Sequence, residues 1–293
     1  MILSKKINRL GCINRDFSSK DNPDGIILLN TVFSKIKENN DLGIGITCFE
    51  IPQGYTFPEL DFIEDDSPSN VLVWEMFRFI KSTNHRIFFF LPTHYFLGSQ
   101  IPEVVENTKS LIIGISLLLD QIGIDYPSIL LRVGSAYGAR KTTMERFCEN
   151  VKSLDHKVIK KIAVCNDEKP SLFSVTDLLS GVYYSCNLPI AFRLLPHQFN
   201  NGGLSIREAL FLAVSTWQEG TTPVFIHSES SEIDENGVSL SPSPSNYLGH
   251  RIPTFGLDID TILDSPAESK CCLKYRSELI SLKPMVINKI DRK

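Results

Sequence analysis

Charged and imidazole side chains recur in this sequence at the points where short apolar runs end. Arg132 closes the run SILLRVG (128–134), and Glu50 closes GIGITCFEI (43–51). The polar residues that follow the other runs are His94, Asp167, Arg193, His197, His227 and Asp264. Imidazoles and carboxylates bind divalent metal ions, whereas the permanently charged guanidinium of arginine binds phosphate or carboxylate. The residue types therefore leave two kinds of site open, a metal centre and an anion site.

The apolar runs alternate with longer amphipathic segments along the whole chain. Eight runs, nearly all continuously apolar as in strands covered on both faces, span 7–13, 43–51, 86–92, 128–134, 161–167, 189–195, 223–228 and 258–264. Helices are predicted over 26–39, 71–83, 101–123, 142–154, 174–185, 205–217 and 266–281. This order predicts an α/β fold, a (β/α)8 TIM barrel, with a doubly wound open sheet as the alternative. No glycine-rich nucleotide-binding motif supports the open sheet.

Three helix starts carry capping signals. Thr142 with Glu145, Ser205 with Glu208, and Ser174 with Asp177 have the spacing of a capping box. In a TIM barrel the functional side chains lie at the carboxyl ends of the strands, so the polar residues named above are expected to share one mouth.

Length and composition set the broad class. The chain of 293 residues, with a net charge of −4, fits one barrel domain over 1–293 and carries no overall basic charge for nucleic acid. Seven cysteines without a CxxC pair predict reduced thiols and a cytoplasmic protein, or a nuclear one in a eukaryote. The most apolar stretch, 111–119, is too short to span a membrane, and the N-terminus does not have the pattern of a signal peptide.

The segment 228–256 is rich in serine, proline and acidic residues. A loop of this length in a compact domain is either functional or a disordered tether. The functional alternative makes it the contact segment for a protein partner.

The order of motifs resembles the UV-damage endonuclease family, whose barrel is related to that of endonuclease IV. The clearest segment is RVGSAYGARKTTMERFCENVKSLDHKVIKKIAVCND (132–167), and weaker matches lie at LGCIN (10–14), LPTHYF (91–96), STWQ (215–218) and PVFIHSESS (223–231). The resemblance implies an endonuclease IV-like barrel that cuts DNA beside photolesions with a cluster of divalent metal ions such as Mn, Zn or Fe.

Most of the ligand positions that this resemblance implies carry other side chains here. Non-ligating residues stand where the family has histidine, histidine, glutamate, aspartate and lysine, namely Leu91, Arg132, Cys165, Arg193 and Phe225. A further family histidine falls near Pro244 or Ser245. His227 is retained, and Asp264 is a conservative replacement. Of the pair that probes the lesion, the glutamine is His94 here, and Tyr95 stays aromatic.

These departures predict a divergent, catalytically impaired member without a metal cofactor, acting in DNA binding or as an interaction protein. Arg132 and Arg193 would either pair with Asp167, Glu50 or Asp264, or hold a phosphate. The expected DNA contacts are Arg132, Arg193, Tyr95, His94, Tyr137, Arg140 and Lys141. The alternative is an active metal-dependent endonuclease whose rebuilt site uses His94, Asp167, His197, His227 and Asp264, with His227 and Asp264 as its catalytic residues.

Overall fold

Eight parallel strands close into a barrel in the order in which they follow one another along the chain. The computed structural model describes residues 9–15, 25–58, 67–135, 139–235 and 237–285. The barrel strands are β1 (Leu10–Asn14), β2 (Ile46–Glu50), β3 (Arg86–Phe90), β4 (Ile129–Leu131), β5 (Ile162–Cys165), β6 (Ile190–Arg193), β7 (Val224–His227) and β9 (Asp260–Leu263). The predicted TIM barrel is confirmed, since β1 pairs with both β2 and β9.

Helices connect the strands and cover the outside of the barrel. They are α1 (Gly25–Asp41), α2 (Pro68–Thr83), α3 (Pro102–Gln121), α4 (Arg140–Lys152), α5 (His156–Ile159), α6 (Val175–Asp177), α7 (Tyr184–Cys186), α8 (Leu194–Phe199), α9 (Ile206–Ser215) and α10 (Ser269–Glu278). A π-helical turn, Leu178–Tyr183, joins α6 to α7. The seven predicted helices are all present; the short α5 and α8 were not predicted because neither is long enough to show a periodic apolar face.

Two layers of apolar side chains hold the barrel together. The inner layer fills the barrel lumen and includes Ile13, Cys48, Phe90, Cys165 and Ala191. A larger outer layer lies between the strands and the helices. Because neighbouring side chains along a strand point to opposite faces, each barrel strand feeds both layers, which explains its nearly continuous apolar sequence.

Two of the three predicted capping boxes form. The hydroxyl oxygens of Ser205 and Ser174 accept hydrogen bonds from the backbone N–H three residues later, and the Glu208 and Asp177 side chains bond back. Thr142 does not cap α4, which begins two residues earlier at Arg140. Its hydroxyl instead donates to the carbonyl oxygen of Ala139.

The segment after β7 is folded over its described residues. Residues 229–249, which we call the acidic hairpin, form antiparallel bridges between Ser230 and Pro244 and between Ile233 and Ser239. Immediately after it, β8 (His250–Arg251) pairs with β10 (Lys283–Pro284). A disordered tether is therefore not what the described part of this segment forms. Within the described residues, no helix has the length and apolar character needed to cross a membrane.

Candidate functional site: an arginine and carboxylate mouth

Strand alternation decides which side chains enter the barrel mouth. Cys48, Leu130, Cys165, Ala191 and Ile262 belong to the inner layer, so the residue two positions further along points to the same side. Those residues are Glu50, Arg132, Asp167, Arg193 and Asp264. Five barrel strands thereby bring two arginines and three carboxylates to one place.

Arg132 is nearly buried, with 8% of its surface exposed. One terminal nitrogen, Nη1, lies 3.4 Å from Asp167 Oδ1 and 3.4 Å from Glu168 Oε2, which is long for a charge-assisted hydrogen bond. Burial, and next the neighbouring charge of Arg193, lower the pKa of Arg132. Its Nε is buried without a hydrogen-bond partner among the described residues.

Arg193 is the second nearly buried guanidinium, with 9% of its surface exposed. Its Nη2 lies 3.5 Å from Asp264 Oδ2, and its guanidinium carbon stands 5.3 Å from the centre of the Phe90 ring. Nε and Nη1 are buried without a partner in the described part of the chain. Both arginines thus keep N–H groups directed into the mouth that no described protein acceptor uses.

A third arginine, Arg15, completes the mouth. Its Nε lies 3.1 Å from Glu50 Oε2, and it also pairs with Asp264. Burial alone would lower the pKa of Arg15, but Asp264 and Glu50 outweigh it and the pKa is raised. Sequence reasoning missed this residue because its partners lie on other strands and it follows β1 outside any apolar run; the basic residue directly after that strand was the available signal.

The carboxylates of the mouth are shaped mainly by burial. Burial raises the pKa of Asp167 to about 6, although Arg132 and Arg193 both act to lower it. Burial also raises the pKa of Glu50 against the effect of Arg15. Asp167 is therefore the carboxylate of the mouth whose charge changes in the physiological range.

Gly134 shapes the loop that follows Arg132. Its φ of +120° is a conformation that residues with a side chain rarely adopt, and an added Cβ would lie 3.0 Å from the Phe96 side chain. Phe96, Arg132 and Lys169 help to line a cleft of about 480 Å³ beside the mouth. His94 lines the same cleft and is exposed.

The structure does not bring the Tyr95 ring to the surface, which corrects its prediction as a base-stacking residue. Tyr95 is 6% exposed, and its hydroxyl donates to the carbonyl oxygen of Pro52 and accepts from the N–H of Tyr55. Tyr95 fixes the loop after β2, because a hydroxyl with two backbone partners is held in place. Of the probing pair, His94 is the member that a ligand can reach.

The predicted rim contacts have local partners. Arg140 Nη2 lies 2.5 Å from Asp177 Oδ2 and its guanidinium stands over the Phe173 ring. Lys141 is highly exposed, with Glu145 at 3.9 Å. Tyr137 falls within 136–138, outside the described residues.

The five candidate metal ligands do not converge. His227 lies on the same strand face as Phe225, whose ring is 5.6 Å away and belongs to the outer layer. His197 lies on α8, with its ring 5.1 Å from that of Phe192 in the same layer. Asp167 and Asp264 face guanidinium groups instead. Among the described residues no three His, Cys, Asp or Glu side chains are placed to hold one metal ion.

The donor chemistry of the mouth therefore does not fit a cluster of divalent ions. The guanidinium groups of Arg132 and Arg193 donate hydrogen bonds, offer no lone pair and repel a cation. The other two replaced positions on β5 and β7 are Cys165 and Phe225, both fully buried, and burial raises the pKa of Cys165 to about 12. Leu91, after β3, is likewise fully buried in the outer layer.

Comparison with known proteins decides the family. A family model described as UV-endonuclease UvdE matches residues 69–283, which is well over half of the chain. The chain belongs to this family. A UV DNA damage endonuclease of Bacillus thuringiensis subsp. konkukian is 28% identical over 234 residues, covering 78% of this chain and 72% of that protein.

Other relatives of the UvdE family match over shorter stretches. A UV DNA damage endonuclease of Clostridium perfringens is 30% identical over 130 residues, and one of Bacillus cereus is 30% identical over 152 residues. These matches span 31% and 47% of the two relatives, so less than half of either protein is covered.

Solved structures confirm the endonuclease IV-like barrel. SacUVDE superposes with a TM-score of 0.75 at 22% identity, covering 94% of this chain and all of that one. Endonuclease IV of Thermus thermophilus gives a TM-score of 0.66 at 13% identity over 93% of this chain and 99% of that one. At these identities the likeness concerns the fold.

Proposed function

We propose that this UvdE-family barrel binds DNA through a phosphate held by Arg132 and Arg193, and that it does not perform the metal-dependent incision for which its relatives are named. The observation that carries the proposal is the pair of nearly buried guanidinium groups whose N–H groups have no acceptor among the described residues. A phosphate oxygen supplies such an acceptor and balances the like charges.

Electrostatics supports an anion at this place. Two arginines that lower one another's proton affinity are strained by mutual repulsion, and an anion between them relieves it. The nearby carboxylates neutralise them only in part, because the separations of 3.4–3.5 Å leave three N–H-bearing nitrogens unpaired. Lys169, on the wall of the adjoining cleft, adds a further positive charge for a nucleic-acid backbone.

A second function, incision with a rebuilt metal site, is favoured by one observation. All four ring nitrogens of His197 and His227 are buried without hydrogen-bond partners among the described residues. Burial lowers their pKa values to about 4 and about 3, which keeps both imidazoles neutral and able to act as donors. Against this candidate, both rings belong to the outer side of the barrel wall with the Phe192 and Phe225 rings.

The two functions separate in one set of measurements on the full chain. Purified protein is analysed for manganese, zinc and iron, and then assayed for nicking of irradiated and plain plasmid with each metal added. The Bacillus thuringiensis relative serves as the positive control. Binding to irradiated and plain duplex DNA is followed by fluorescence anisotropy over a series of salt concentrations.

We expect DNA binding that weakens as salt rises, with no nicking above the level of a metal-free blank. Stoichiometric bound metal together with incision of irradiated plasmid would overturn the proposal. In that event loss of activity in His227→Ala would assign the rebuilt site, and unchanged activity would exclude it. Absence of measurable DNA binding at low salt would contradict the proposal from the other side.

A further inference from the structure

The acidic hairpin exposes apolar side chains that the barrel does not use. Ile233, Val238 and Leu240, in its outer half, are 56%, 38% and 58% exposed. Leu248, at its base, is only 6% exposed and packs into a small core with residues of β1, β9 and α10. The hairpin therefore spends one apolar residue on anchoring and presents three to solvent.

The hairpin is held in a defined shape. The N–H groups of Ser231 and Ser245 donate to the carbonyl oxygens of Ser243 and Glu229, each at 2.8 Å. The Glu229 carboxylate accepts the N–H groups of Gly249 and His250, each at 2.9 Å, and so closes the base of the segment. A surface ordered before binding loses less conformational entropy when a partner arrives.

Two side-chain bonds orient the hairpin against the barrel. The Ser239 hydroxyl donates to Gln198 Oε1 at 2.7 Å, just after α8 has passed the end of β6. The Ser265 hydroxyl donates to the carbonyl oxygen of Asn246 at 2.7 Å, just after β9. Both partners follow the carboxyl ends of barrel strands, so the hairpin stands at the rim of the mouth.

The charge of the hairpin selects the kind of partner. Between Arg207 and Arg251 the sequence contains no lysine or arginine. Glu232 and Glu235 are exposed beside the apolar residues, whereas Glu229 is engaged within the hairpin. An acidic surface repels the phosphate backbone of DNA and attracts cationic groups. Apolar side chains flanked by carboxylates are complementary to a segment in which Lys or Arg alternates with apolar residues.

We infer that the acidic hairpin is a docking surface for a basic, apolar segment of a partner protein. The partner is thereby placed at the rim, beside the proposed DNA site but on a surface that DNA itself does not favour. An epitope of three apolar residues and two carboxylates is small, so the interaction belongs to the weak and transient class. This inference goes beyond DNA binding and stands independently of it.

The experiment selects ligands from a display library of random short peptides against the full chain. Enriched peptides are synthesised and their binding is measured by anisotropy on four variants. Ile233→Ser with Leu240→Ser removes the apolar contacts, and Glu232→Lys with Glu235→Lys reverses the charge. Leu117→Ser, on α3, and Glu75→Lys, on α2, alter an exposed apolar residue and an exposed glutamate elsewhere. Thermal melting monitors the fold of every variant.

We expect enriched peptides that combine Lys or Arg with apolar residues, losing about tenfold or more in affinity on each hairpin variant. Affinity should stay unchanged on both control variants. Three results would overturn the inference: no enrichment, enrichment of acidic or uncharged peptides, and peptide binding that ignores both hairpin variants. Sedimentation that shows self-association of the chain, abolished by the hairpin variants, would assign the surface to a second copy instead and would equally refute a separate partner.

Discussion

Arginine and aspartate meet at both ends of this barrel, with opposite results. At the amino-terminal end Asp260 accepts Arg86 Nη1 at 2.8 Å, Arg9 Nη1 at 3.0 Å and the backbone N–H of Arg9 at 2.8 Å. At the mouth the separations between Arg132 or Arg193 and their carboxylates are 3.4–3.5 Å.

The difference lies in how completely each charge is satisfied. Arg86 also donates to the carbonyl oxygen of Thr222 and stands over the Tyr126 ring at 4.5 Å. Arg132 and Arg193 instead hold three nitrogens without partners among the described residues. Short, fully satisfied contacts indicate a structural cluster, whereas long contacts with spare donors indicate a site prepared for a ligand.

The largest effect is expected at the amino-terminal end. Asp260→Ala leaves the Arg86 charge buried and unpaired, so the free energy of unfolding in urea should fall by about 3–5 kcal/mol. Asp264→Ala, at the mouth, should cost less than half as much, because Arg15 is partly exposed and water can solvate it. Equal losses at the two ends would remove the distinction.

Arg132→Met and Arg193→Met should separate binding from stability. Each removes charge-assisted hydrogen bonds to a phosphate, so affinity for duplex DNA should fall about tenfold or more and the salt dependence should flatten. The free energy of unfolding should change by less than about 1 kcal/mol or rise, since an apolar side chain replaces an incompletely paired charge. The matched control, Arg86→Met, should reverse the pattern by destabilising the fold and leaving DNA affinity intact.

A smaller effect concerns pH. The pKa of Asp167 in the folded protein is about 6, above its ordinary value, so Asp167 takes up a proton and stops neutralising Arg132 as pH falls through 6. DNA affinity should therefore rise a few-fold between pH 7.5 and pH 5. Asp167→Asn should bind more tightly at pH 7.5 and lose this dependence. His94→Gln, which removes the exposed imidazole of the cleft, controls for the other titratable group there.

The same raised pKa has a consequence for folding. Between about pH 4 and pH 6 the folded state binds more protons at Asp167 than the unfolded state does. The contribution of Asp167 to stability is thus present below pH 4 and is lost as pH rises to 6. Urea titrations of the wild type and Asp167→Asn across this window measure it; a wild-type contribution that grows with pH would contradict the assignment.

The smallest effect is expected at the rim. Lys141→Ala should reduce DNA affinity by less than about twofold, because a highly exposed charge with a carboxylate at 3.9 Å contributes little. A loss as large as that of Arg132→Met would move the binding surface from the mouth to the rim around α4.

Sequence periodicity was sufficient for the barrel and for the strand ends. Each apolar run and each amphipathic helix is a local pattern, and eight alternations allow few architectures. The positions of Arg132 and Arg193 at the ends of β4 and β6 followed directly. The resemblance to UV-damage endonucleases, confirmed by the family model, added that ligand positions of a metal cluster had been replaced.

The sequence by itself determined that titratable groups gather at one mouth, because the carboxyl ends of parallel barrel strands converge. Tertiary structure alone decided their roles. Arg15 joins Asp264 across 249 positions of the chain, Tyr95 turns inward onto a backbone that precedes it by some forty residues, and His227 faces the helices. The physical reason is that pairing, burial and strand face depend on side chains distant in sequence, which no local pattern encodes.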